Sequence, residues 1–314
     1  MTPRAYTMPL AAIDAQRRPW RENLWRALGG VVEVHDSPQV PREILALAHS
    51  RAYLDKLFSV GLTREEGHKL GFAWSPEVLT RSLYSTGGTL AATEDALNTG
   101  LGLNLGGGTH HAYPDHAEGY SLFNDVAVAI QYERSRGFTG RVLVVDLDVH
   151  QGNGTAVFFQ GDDSVFTFSM HAEHNYPAHK EKSDLDVSLP DGTGDAAYLA
   201  ALEPALEQAF AFRPALVFFN SGVDVLGGDR LGRLALSMEG LRERNARVFQ
   251  KVRQAEVPLV VVFGGGYNRD PERNLQARAL TYRQALDQQR AELPDQQRAE
   301  LPDQQRAEPS SSRR

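Results

Sequence analysis

The chain has 314 residues, 41% hydrophobic and 23% charged, with 33 Lys and Arg against 40 Asp and Glu and a formal net charge of −7. That length can bury a full α/β core in one domain, and an acidic balance without a basic stripe argues against nucleic acid as a partner. Cysteine is absent, which excludes disulfides and thiolate chemistry. No apolar run nears the ~20 residues of a membrane span, so no membrane partner is expected and cytoplasm is the expected location.

The segment from Arg4 to Arg26 is basic and carries Trp20 and Trp25. It reads as a packed amphipathic stretch, with a membrane-surface or peptide-binding arm as the other reading. Ser75-Pro76 marks a helix start, with Pro at the first helical position. Leu101 to Leu105 reads as a short strand, after which come Gly106-Gly-Gly-Thr-His110-His111. A lone His is more often a structural hydrogen-bonder. Adjacent His residues behind three Gly suit proton transfer, with metal ligation as the other reading.

Val142 to Gly154 carries the most chemistry. Its apolar start reads as a buried strand of a parallel sheet, and ligands in such sheets bind at the carboxyl ends of strands. Asp146, Asp148 and His150 alternate there, so they project the same way if the strand continues through them. One strand-end Asp would ordinarily cap a helix or satisfy a turn. Two Asp and a His, followed by Gly152 and Gly154, instead outline a metal site. Zinc accepts such donors, and a catalytic zinc keeps three protein ligands and an open position. A magnesium-dependent phosphohydrolase with an Asp-x-Asp nucleophile is the competing reading, and His150 opposes it because magnesium prefers oxygen.

Residues 195–211 read as a helix, and Ala215 to Asn220 as another strand, leading to Asp224 and the Gly-rich loop Leu226-Gly-Gly-Asp229. Asp224 completes an Asp, His, Asp set. Ser237 starts a helix over Met238 to Ala255, with Glu239 and Glu243 near its positive end. Val257 to Phe263 is a further strand that ends in Gly264-Gly-Gly-Tyr267, whose phenol either packs or donates a hydrogen bond to an oxyanion. Strands alternating with helices indicate an α/β sheet covered on both faces. From Asp287 the unit Asp-Gln-Gln-Arg-Ala-Glu-Leu-Pro294 repeats and then decays toward Pro309. Proline in every unit breaks helices, so residues 283–314 are expected to be a disordered, non-catalytic tail on a domain spanning 1–282, removable after Tyr282 without loss of folding or turnover.

Five ordered motifs resemble the zinc-dependent histone deacetylase family: the Gly106–His111 segment with Ala112, Gly119-Tyr-Ser-Leu-Phe-Asn124-Asp125, Asp146-Leu-Asp148-Val-His150-Gln-Gly-Asn-Gly154, Asn220-Ser-Gly-Val-Asp224, and Gly264-Gly-Gly-Tyr267. The resemblance covers roughly residues 8–282. Trp74-Ser-Pro-Glu77, Tyr84-Ser-Thr-Gly-Gly-Thr89, His150-Gln-Gly-Asn153 and Gly228-Asp-Arg-Leu-Gly232 look most like the class IV branch. The resemblance implies a three-layer αβα sandwich with a mainly parallel eight-stranded sheet of the arginase/deacetylase type. It further implies hydrolysis of acylated lysine side chains in proteins or peptides, or of small acylated amines such as acetylpolyamines, because the family's core serves both; a catalytically silent zinc-binding module is a third reading.

Residue by residue, Asp148, His150 and Asp224 match the zinc ligands. His110 and His111 match the tandem pair, the second generally taken as the principal base, and Asp146 matches the buried partner of His110. Tyr267 matches the catalytic Tyr, and Gly119 with Tyr120 the lining of the acyl-lysine tunnel. A structural potassium ion is implied at Asp146 and Ser169 with carbonyls of Asp148, His150 and Met170. Two departures stand out. Many members have Asp where this chain has Asn153, so His111 should be held cationic less strongly. The loop from Met170 to Pro177 also differs and makes Tyr176 the candidate rim aromatic.

Overall fold

A computed structural model describes residues 3–9, 24, 27–28 and 32–291. Eight strands, β1 (Arg4–Thr7), β2 (Glu33–Asp36), β3 (Leu101–Asn104), β4 (Val142–Asp146), β5 (Val165–Ala172), β6 (Leu185–Leu189), β7 (Leu216–Asn220) and β8 (Leu259–Val262), form one sheet in the order β2-β1-β3-β8-β7-β4-β5-β6. Every pairing is parallel. The expected architecture is therefore present, with a sheet that is parallel throughout.

The central strands are apolar at every position because both their faces are covered. Val142 and Val144 pack with Phe218 and Val260 under the helices Arg51–Ser59, Pro76–Thr99 and Asp125–Ser135. Leu143 and Val145, one residue out of phase, pack with Phe219 and Val261 against the helices Asp195–Phe210, Met238–Ala255 and Pro271–Ala291. The predicted helix starts are in place: Ser75 accepts from Val78 N at 3.4 Å and Ser237 from Gly240 N at 3.0 Å. β5 went unread in the sequence because Thr167, Ser169 and His171 interrupt its apolar run, although all three are buried.

The strand order decides the site. β3, β8, β7 and β4, whose carboxyl ends carry the four chemical motifs, are consecutive neighbours. Asp146 is in register with Asn220, and Asn220 with Val262. At ~4.8 Å per strand, the four ends fit within about 15 Å.

The domain boundary needs correction. The helix Pro271–Ala291 runs past Tyr282 and seats Ala285 and Leu286 in the core. Asp287 to Ala291 contain good helix formers, and the first breaking residue of the repeat, Pro294, lies beyond the helix. Residues 283–291 thus belong to the fold. Residues 292–314 and most of the Arg4 to Arg26 segment, including both of its Trp residues, lie outside the described residues, although Arg4–Thr7 is β1 and Leu24 is buried. Truncation after Tyr282 removes a fully buried Leu, a loss on the order of 2–5 kcal/mol, and should lower the melting temperature by roughly 5 °C or more. Truncation after Ala291 should leave melting and turnover unchanged. Equal melting of the two truncations would show that Leu286 contributes nothing.

Candidate metal and catalytic site

β4 ends at Asp146, and the chain then turns instead of continuing as a strand. The alternation expected of Asp146, Asp148 and His150 is replaced by two side-chain-to-backbone bonds, Asp148 N to Asp146 Oδ1 at 3.1 Å and His150 N to Asp148 Oδ1 at 3.0 Å. Each Asp bonds the amide two residues on, the habit of Asp in turns. This separates the roles. Asp146 faces His110, while Asp148 and His150 gather with Asp224 from the β7 end.

Donor atoms of Asp148, His150 and Asp224 lie within 4.8 Å of one another, and all three residues are buried. His150 Nδ1 is 2.9 Å from Asp148 Oδ1 and 3.2 Å from Asp224 Oδ2. Two donors ~2.0–2.1 Å from one ion at a tetrahedral angle are about 3.4 Å apart, so the latter spacing fits a shared metal. Asp224 Oδ1 accepts from Val149 N at 3.0 Å, but among the described residues the buried Oδ2 has no hydrogen-bond donor. A buried carboxylate oxygen without a donor is costly unless a cation meets it. Burial, then the charge of Asp148, pushes the Asp224 carboxyl up to about 6, against the opposing effect of the neighbouring His150. Gly265 permits the approach: its N–H donates to Asp148 Oδ2 at 2.6 Å, and a Cβ there would lie 1.9 Å from Asp224 Oδ2. These residues can hold a divalent ion.

His110 and His111 stand beside this set with ring centroids 4.1 Å apart. His110 Nδ1 is 2.7 Å from Asp146 Oδ2, and the other oxygen of Asp146 accepts from Asn220 Nδ2 at 3.0 Å. Burial opposes a charge on His110, but Asp146 and Asp148 together outweigh it and raise its pKa to about 9. His111 goes the other way. Burial, then the charges of His110 and His150, hold it well below its ordinary value, against a hydrogen bond to Asn153 that favours the charged form. His111 Nδ1 is 2.6 Å from Asn153 Oδ1.

Tyr267 completes the floor, with its ring centroid 6.4 Å from His150 and 6.0 Å from Tyr120. Burial first, then Asp224 and Asp148, raise its phenol pKa, so the hydroxyl remains a donor. The pair, Tyr267, Asp148 and His150 line one cavity of about 590 Å³. Gly119, Tyr120 and Tyr176 line it too, and Tyr176 meets His111 edge-on at 5.0 Å. Gly119 has φ 50°, and a Cβ would sit 2.5 Å from His111 Cδ2. Ser169 is level with Asp146 on the adjacent strand, where its hydroxyl lies 3.0 Å from His171 Nδ1.

Several supporting residues had no role assigned from the sequence. The fully buried Asp125 accepts from Gly108 N at 3.0 Å and Thr109 N at 2.8 Å, which fixes the loop leading to the His pair. Its position in the first turn of a helix capped by Asn124 looks ordinary in one dimension. Asp229 accepts from Tyr267 N at 2.7 Å and from Leu231 N at 2.9 Å, tying the rim loop to the Tyr267 turn. Arg244, fully buried, donates to the carbonyls of Leu147 at 3.0 Å and Gly222 at 2.7 Å, close to Asp148 and Asp224 in the chain. Its helix position carries no local sign of this.

Comparison with known proteins agrees with this geometry. The histone deacetylase domain family matches residues 14–282. An uncharacterized protein of Picosynechococcus sp. (strain ATCC 27264 / PCC 7002 / PR-6) is 42% identical over 252 residues, covering 80% of this chain and 84% of that protein. Histone deacetylase 2 of Arabidopsis thaliana is 34% identical over 239 residues, covering 73% of this chain and 62% of that protein, less than two thirds of its length. A crystal structure of an HDAC homolog from Aquifex aeolicus superposes with a TM-score of 0.76 at 26% identity, covering 91% of this chain and 84% of that one, and a structure of an HDAC homolog complexed with SAHA gives the same figures. With this match across most of its length, over a site built from a tandem His pair, a buried Asp-His-Asp group and a Tyr, the chain belongs to the histone deacetylase family of hydrolases.

Proposed function

We propose that this protein hydrolyses the amide bond of acylated lysine side chains, with zinc held by Asp148, His150 and Asp224. The carrying observation is that His110, His111, Tyr267, Asp148 and His150 line one cavity, with the buried Asp224 completing the donor group. When bound, zinc supplies Lewis-acid chemistry, polarising an acyl carbonyl and acidifying water. His111, held neutral, takes the proton of the attacking water. The hydroxyl of Tyr267 donates to the oxyanion that forms, and the positive charge of His110 steadies it. His111, now protonated, returns its proton to the departing amine, so the products are free lysine and a carboxylate.

The phosphohydrolase alternative loses support from Asp146. Its carboxylate, the would-be nucleophile, is engaged by His110, by Asn220 and by Asp148 N. Between protein lysine and a polyamine, the cavity mouth favours the former. Lys69, Arg230 and Arg233 are among its lining residues, Arg233 paired with Asp191 at 3.0 Å, and a polycation would meet like charge at Lys69 and Arg230. The class IV-like placement rests on the Trp74–Glu77 and Gly228–Gly232 motifs. A structural potassium ion at Asp146, Ser169 and the carbonyls of Asp148, His150 and Met170 belongs to the same reading, supported by the level register of Asp146 and Ser169 and by an all-oxygen donor set.

Purified protein assayed against lysine peptides bearing acetyl and longer acyl groups, with acetylpolyamine and a phosphate ester alongside, tests the proposal. Hydrolysis of acyl-lysine well above acetylpolyamine is expected, with inhibition by a hydroxamate. Magnesium-dependent phosphatase activity without amide hydrolysis would overturn it.

A further inference from the structure

Where many relatives orient the second His with a carboxylate, this chain presents the amide of Asn153, and an amide can face His111 with either end. Its partners decide which. Asn153 Nδ2 has two hydrogens, one directed to Glu118 Oε1 at 3.2 Å and one to the Tyr113 hydroxyl at 3.1 Å. A carboxylate only accepts, so it must face the NH₂ group. The Tyr113 hydroxyl donates its own hydrogen to Glu181 Oε1 at 3.0 Å, so its oxygen is left to accept from Asn153. Flipping the amide would set Oδ1 against Glu118, acceptor against acceptor. With Oδ1 turned to His111 at 2.6 Å, the imidazole hydrogen must sit on Nδ1, and Nε2 keeps its lone pair.

Glu118 also reaches the base through Tyr176. It accepts from the Tyr176 hydroxyl, and the Tyr176 ring stands perpendicular to the imidazole of His111. Glu118 also pairs with His116 Nε2 at 3.5 Å. Burial disfavours its charge, but the hydrogen bonds from His116, Tyr176 and Asn153 outweigh that and keep it anionic.

We infer that Glu118 is a positioning residue for His111: through Asn153 it selects the Nδ1–H tautomer, and through Tyr176 it braces the ring, so that Nε2 is free to take a proton. This rests on the deacylase reading only for its consequence in turnover. The tautomer itself is a property of the resting protein.

The full-length protein should be assayed as wild type, Glu118→Ala and Glu118→Gln, with ring-nitrogen NMR of His-labelled samples in parallel. Glu118→Ala should lower kcat about 10- to 100-fold, the usual effect of losing an outer partner of a site residue, with KM changed less than about threefold. Its His111 signals should show mixed tautomers. In Glu118→Gln the amide oxygen can still accept from Asn153 Nδ2, so turnover should return to within about threefold of wild type and the Nδ1–H tautomer should persist. Wild-type kcat and an unchanged tautomer in Glu118→Ala would overturn the inference, as would a Gln variant as slow as the Ala variant. If the wild type hydrolysed no acyl-lysine, the deacylase reading would fall, and the tautomer comparison would still decide the role of Glu118.

Discussion

Asp224→Ala should strip the protein of most of its metal. The wild type is expected to carry about one zinc per chain, and elemental analysis after desalting reads the difference directly. The reason lies in the geometry around Asp224 Oδ2, a fully buried carboxylate oxygen that has no hydrogen-bond donor among the described residues and stands 3.2 Å from the ring nitrogen of His150. Removing it leaves two donors, one short of the three protein ligands that a catalytic zinc keeps. Turnover should fall with the metal, and a hydroxamate should lose its hold. Asp229→Ala offers a contrast, because Asp229 braces the Tyr267 turn without belonging to the donor set. That variant should keep its zinc. If Asp224→Ala retained a full complement of zinc, the Asp148, His150, Asp224 assignment would fail, whatever the activity.

Tyr267→Phe should lower kcat by roughly 10²–10³, the usual effect of removing one oxyanion donor. Zinc should stay bound, since the phenol is not among the three donors. Because the hydroxyl acts where charge develops in the transition state, substrate binding should change much less than turnover. The phenol lies in the wall of the cavity, near His150 and Tyr120, and burial keeps it protonated. His111→Ala should also impair turnover, through the base, and the two losses need not add because both groups serve one step. Undiminished turnover in Tyr267→Phe would remove this residue from the mechanism and leave the metal and His110 to support the oxyanion.

The chemical residues were legible because each stands at the end of a strand that the sequence announces. Val142 to Val145 and Leu216 to Phe219 are uninterrupted apolar runs, readable as buried parallel strands from their composition. The residues that hold the chemistry in place were not legible. Asp125 sits at an ordinary-looking helix start, Asp229 in a Gly-rich loop, and Glu118 between His116 and Gly119 with no periodic pattern. Each acts on residues distant in the chain, such as the 35 positions between Glu118 and Asn153, and no local propensity encodes such a contact.

The tail shows the opposite error. The octapeptide period and its prolines suggested a boundary at 282, yet the first unit contributes to a helix whose apolar positions Ala285 and Leu286 are in the core. Proline disfavours helix in the residue before it and opposes the bond to the carbonyl four positions back, so Pro294 does not reach Ala285 or Leu286.

By itself the sequence determined the donor types, their order along the chain, the strands that present them and the glycines that admit close approach, because these depend on local patterning and on side-chain chemistry. Only the tertiary structure decided that β3, β8, β7 and β4 are neighbours, that Asp146 is bonded by Asn220 and by the Asp148 amide as well as by His110, the partner the resemblance implied, and that Asn153 answers to Glu118. Those outcomes depend on strand order, on a turn that ends β4 at Asp146, and on the packing of distant loops over one sheet edge, where contacts between far-separated residues form only once the core has closed.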